Sequence, residues 1–74
     1  MEPEVAFGKV LRTLRLLAGL SQEQLALDAG VQRNYVSLLE RGLNSASIKI
    51  IFKLADVLKV KPSEMLVQAE LLLK

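Results

Sequence analysis

Residues 22–41 run QEQLALDAGVQRNYVSLLER, and no other part of the chain constrains its architecture so tightly. Two apolar patterns of helical period meet there. Ser21 stands before the first as an N-cap, with Gln22 and Glu23 in the opening turn and Leu25, Ala26 and Ala29 as its inward residues. Gly30 ends that helix, and another runs from Arg33 to Arg41 with Gln32 at its start and Gly42 behind it. The link Gly30-Val31-Gln32 is a turn of about three residues, so the two helices cross closely. A crossing that tight requires a small residue at closest approach, which Ala26 supplies. It also requires a residue comfortable at positive φ, which Gly30 supplies. Leu25, Ala29, Val31, Val36 and Leu39 then face one shared core.

These are the requirements of a helix-turn-helix. Outward from it, a first helix is expected from about Glu4, just after Pro3, with Phe7, Leu11, Leu14 and Ala18 at helical spacing and Gly19 as its stop. Lys9, Arg12 and Arg15 fill its other faces. Beyond Gly42, Ser47 caps a fourth helix carrying Ile48, Ile51, Leu54, Ala55 and Leu58. Pro62 suits the first position of a fifth, with Glu64 in its first turn and Met65, Leu66, Ala69, Leu72 and Leu73 as its stripe. No strand pattern survives. The reading is all-α, a compact bundle of five helices, with residues 1–74 as a single domain.

Composition narrows the function. At 74 residues and 8.2 kDa, area scaling gives ~60% of the surface buried on folding, enough for one core without a staple. The chain has no Cys and no His, which removes zinc fingers, iron–sulfur clusters, disulfide scaffolds and Ser–His or Cys–His catalysis. There is no phosphate loop and no useful pair of carboxylates; Asp28 and Asp56 are single acids within helical patterns. Neither an enzyme nor a metal or cofactor site is expected. Charged residues interrupt every apolar run well before the ~18 residues of a membrane span, and Met-Glu-Pro-Glu has no apolar h-region. A cytoplasmic protein is expected. Net charge is +2 with pI ≈ 9.2, a slight tilt toward polyanions.

With Val36 and Leu39 turned inward, one face of the helix 33–41 is left over. At about 100° per residue, Arg33, Asn34, Ser37, Leu38 and Arg41 span a sector of roughly 140°, with Tyr35 at its margin. Guanidinium, amide, hydroxyl and aliphatic groups of this kind read base edges: Arg to guanine, Asn to adenine, Leu against a thymine methyl. An ordinary solvated face is the competing reading for a short helix in isolation. The surrounding helix-turn-helix pattern reverses those odds.

The stretch Phe7 to Leu66 resembles the lambda-repressor/Cro type of helix-turn-helix domain, the XRE family of bacterial and phage regulators. The residues that carry the likeness are Leu20-Ser21-Gln22-Glu23-Gln24-Leu25-Ala26, then Ala29-Gly30-Val31, then Tyr35-Val36-Ser37 through Glu40-Arg41-Gly42, with Leu54-Ala55, Leu58 and Val60 behind them. Within the family, the Asn34-Tyr35-Val36-Ser37 run is similar to the small controller proteins of restriction–modification systems. The resemblance implies double-stranded DNA as partner and base reading by Arg33, Asn34, Ser37 and Leu38. It implies phosphate contacts from Gln22, Tyr35, Arg41, Asn44, Ser45 and Ser47, and an ion pair between Arg15 and Glu40. For Tyr35 a packing role competes; for Asn44, Ser45 and Ser47, plain turn and capping chemistry does. Two residues depart from the family pattern: Ala46 replaces a usual Pro, and Lys61 a usual capping Ser.

The hydrophobic fraction of 51% and mean hydropathy of +0.33 are high for so small a chain. Leu16, Leu17, Leu27, Leu43, Ile50 and Phe52 fall where the family is commonly polar, and Leu71-Leu72-Leu73 adds an apolar tail. A homodimer on a palindromic operator accounts for the surplus. Its expected interface is the fifth helix, 62–73, through Met65, Leu66, Ala69, Leu72 and Leu73, joined by Ile50 and Phe52. The alternative function is an antitoxin-like helix-turn-helix protein whose main role is binding a partner protein.

Overall fold

In the computed structural model, which describes residues 1–74, Pro3 opens α1 (Pro3–Leu17) at a position where its missing N–H costs nothing. Four more helices follow: α2 (Gln22–Ala29), α3 (Arg33–Glu40), α4 (Ile48–Leu58) and α5 (Pro62–Leu72). The expected all-α, five-helix architecture is the one observed. Ser21 Oγ accepts from Gln24 N–H at 3.0 Å and Ser47 Oγ from Ile50 N–H at 3.2 Å, so both expected N-caps form. Lys61 makes no such bond, and α5 starts on Pro62 with Glu64 in its first turn.

The core is a cluster drawn from every helix. Leu11, Leu25, Val36, Leu39, Leu54 and Met65 are its largest fully buried side chains. α1 packs against both α3 and α5, α2 bridges α3 and α4, and α4 also touches α5. The helix pair α2–α3 is thus clamped by α1 and α4, with α5 closing the far side.

Several positions differ from the sequence reading. Ala18 is exposed, because α1 stops one residue earlier and Ala18 is its C-cap. Ile48 is 75% exposed. It opens α4, leading the Leu54-Ala55-Leu58 stripe by more than a turn, past the edge of the core. The larger correction concerns α5. Met65 and Ala69, expected to face a second copy, are 0% and 7% exposed in the single chain. They seal the core beneath α1, which at 15 residues is long enough to lie across α5. Leu66, Leu72 and Leu73 of the same expected set stay 41–48% exposed, and Phe52 is 58% exposed.

Candidate nucleic-acid interface

The turn that presents α3 is built from Gly30, whose φ of 73° and ψ of 33° lie in the left-handed region. Val31 N–H then reaches back to the Ala26 carbonyl at 2.9 Å, and Gly30 N–H to that of Leu27 at 3.3 Å. This double closure satisfies the Ala26 and Leu27 carbonyls in the last turn of α2 and sends the chain directly into α3. Gln32, in extended conformation, precedes the first helical residue, Arg33.

Along α3, Val36 and Leu39 are buried while Arg33 and Asn34 are exposed. Ser37 and Leu38 follow one turn later, half-buried, and Arg41 is the exposed C-cap rather than a helical residue. Tyr35 is half-buried and packs against the core margin. Asn44, Ser45 and Ser47 are exposed in the segment leading into α4. The hydroxyl of Ser47 accepts the capping bond from Ile50 and keeps its own O–H to donate.

The end of α3 is fixed to α1 by a charged cluster. Arg15 Nε donates to Glu40 Oε2 at 2.6 Å and Arg15 Nη2 to Glu40 Oε1 at 3.0 Å, a two-pronged contact between side chains only 9% and 3% exposed. Arg15 Nη1 donates to the Leu20 carbonyl at 2.8 Å, tying in the entry to α2. The hydrogen bond to Glu40 raises the Arg15 pKa above its ordinary value, against the opposing pull of desolvation. A raised folded value means the stabilisation is complete below the unfolded pKa and fades only as pH climbs through the folded one. Arg15 therefore stays charged across physiological pH.

The cluster holds a fourth member that the sequence did not reveal as such. Gln22 Nε2 donates to Glu40 Oε1 at 3.0 Å, so the first residue of α2 is bonded to the last residue of α3. The two lie 18 positions apart, a spacing with no meaning until the turn folds α2 against α3. α1 approaches the same point: a Cβ added at Gly8 would lie 2.9 Å from the Glu40 carbonyl oxygen and closer still to that of Leu39.

A family model described as helix-turn-helix (HTH_3) matches residues 11–65. Control protein C.BamHI of Bacillus amyloliquefaciens is 38% identical over 61 residues, 81% of this chain and 75% of that protein. The crystal structure of the restriction-modification controller protein C.AhdI from Aeromonas hydrophila is 47% identical with a TM-score of 0.82, covering 84% of this chain and 94% of that one. The structure of SinR, a master regulator for biofilm formation, in complex with DNA is 34% identical with a TM-score of 0.78, covering 81% and 97% of the two chains.

Proposed function

The chain belongs to the helix-turn-helix (HTH_3, XRE-type) family of DNA-binding transcriptional regulators, and on that footing we propose that it binds a palindromic operator as a homodimer, with α3 in the major groove. The observation that carries this reading is the division of α3 into a buried side, Val36 and Leu39, and an open side that begins with Arg33 and Asn34. Arg33, Asn34, Ser37 and Leu38 read base edges. Gln22, Tyr35, Arg41, Asn44, Ser45 and Ser47 hold the phosphates and set the register. Residues 1–74 act as one unit on double-stranded DNA, as a cytoplasmic protein of bacterial or phage-derived origin.

The apolar surface left over on the single chain supports the dimer. Phe52, Leu66, Leu72 and Leu73 remain open after the core is complete, with Ile50 half-buried. Fully burying one such side chain is worth ~1.5–3 kcal/mol, so a self-complementary contact using several per chain offsets the ~4–15 kcal/mol cost of association. The interface is therefore the outward side of α5 joined by α4, without Met65 and Ala69. Replacing both Leu66 and Leu72 by Glu is expected to halve the mass in analytical ultracentrifugation while helical content is kept. A double variant that stays dimeric would move the interface elsewhere.

Selection of duplexes from a randomised pool tests the function as a whole. The expected product is a two-fold symmetric site, its half-sites one helical turn apart (~34 Å), carrying two chains. Failure of the wild-type protein to enrich any sequence, with stable capture of a partner protein instead, would favour the antitoxin-like reading.

A further inference from the structure

We propose that Glu40 is a positioning residue for DNA binding, acting through the Gln22 side-chain amide. This inference rests on the DNA-binding reading above, in which Gln22 meets a phosphate. A phosphate only accepts hydrogen bonds, so Gln22 must offer it an N–H. The amide nitrogen has two. One is held by Glu40 Oε1 at 3.0 Å, and Glu40 is itself held by the two prongs of Arg15. Because a carboxylate is purely an acceptor, it turns the nitrogen of Gln22, and not its carbonyl oxygen, toward α3 and fixes the direction of the second N–H. Without that anchor the half-exposed side chain samples rotamers freely and the amide flips. Glu40 thus connects the α1–α3 clamp to the first residue of α2 without touching the nucleic acid.

The geometry provides a variant that separates this role from simple stability. In Glu40→Gln the new amide has two orientations. With its oxygen in the place of Oε1, it still accepts from both Arg15 Nη2 and Gln22 Nε2, and one donor–donor contact arises at Arg15 Nε. With the amide turned over, two such contacts arise, one of them against Gln22. The first orientation is favoured, so Glu40→Gln weakens the ion pair yet keeps the acceptor facing Gln22. Glu40→Leu removes both.

The experiment measures melting temperature and affinity for the selected operator and for an unrelated duplex, using the full chain. Glu40→Gln is expected to lower the melting temperature by about 10 °C while both affinities stay within about twofold of wild type, measured well below the melt. Gln22→Ala is expected to weaken both duplexes alike, by about tenfold, at nearly unchanged melting temperature. Glu40→Leu is expected to add little in the Gln22→Ala background. If Glu40→Leu does not fold, the side-chain amide signals of Gln22 in wild type and Glu40→Gln decide. One proton shifted and protected from exchange in both supports the anchor; averaged, solvent-like signals in wild type overturn it. Affinity that falls in step with melting temperature in Glu40→Gln would also overturn it. A wild-type protein that binds no duplex would instead refute the DNA-binding reading, which is a separate outcome.

Discussion

Gly8→Ala is expected to lower the melting temperature by roughly 12–24 °C, corresponding to a loss of about 3 kcal/mol in a domain of this size. Two effects compete at this site. Alanine favours a helix interior over glycine by up to about 1 kcal/mol, which alone would make the substitution stabilising. Against this, the added Cβ would meet the Leu39 carbonyl oxygen inside contact distance, the Glu40 oxygen at 2.9 Å and the Glu40 carbonyl carbon at 3.1 Å. All three are backbone atoms and have no rotamer to escape into. The Leu39 carbonyl also accepts from Gly42 N–H at 3.1 Å, so moving it loosens the end of α3 as well. Overpacking of this kind costs ~1–3 kcal/mol and more where the neighbours cannot yield, which makes the steric effect the winner. Total stability for a chain this short is about 4–11 kcal/mol, so the loss is a large share. A circular dichroism melt within a few degrees of wild type would show that α1 does not lie as close to α3 as described.

The second large effect is at Met65. Met65→Ala is expected to cost about 2–5 kcal/mol, because truncating a fully buried side chain leaves a cavity in the core that α5 closes. Leu66→Ala, one position along and 48% exposed, is expected to change the stability of the single chain by less than about 0.5 kcal/mol. Deleting everything after Glu64 removes Met65 and Ala69 together and is expected to abolish the fold rather than yield a monomer. A truncated chain that stayed helical and cooperative, or a Met65→Ala protein that lost its dimer but not its stability, would return these residues to the interface side.

The contrast between the two halves of the chain shows what a sequence makes legible. In residues 21–41 the local signals agreed: a Ser cap, small residues at a close crossing, a glycine at positive φ and a helical period on either side of the turn. The open and closed sides of α3 followed from that phase alone, because a helix eight residues long drifts little. α5 was harder. Its apolar residues occupy more than half its circumference, so periodicity could not separate the side against α1 from the side left open. The end of α4 carried no glycine signal either. It is Lys59 that takes the left-handed conformation, at φ 59°, with Val60 N–H closing onto the Ala55 carbonyl. The Gln22–Glu40 bond is a third kind of case. Both residues were singled out separately, but their meeting depends on a tertiary distance that no pattern encodes.

The most direct test of α3 as the reading element is the affinity of Arg33→Ala for the selected operator, set beside its affinity for an unrelated duplex at the same salt concentration. Arg33 opens the exposed face of α3 and carries the side chain suited to guanine. A base contact predicts a loss of about 1–3 kcal/mol on the operator, a relaxed preference at one base pair in each half-site, and much less change on the unrelated duplex. Equal losses on both duplexes would make Arg33 a phosphate contact and contradict its place in the reading set.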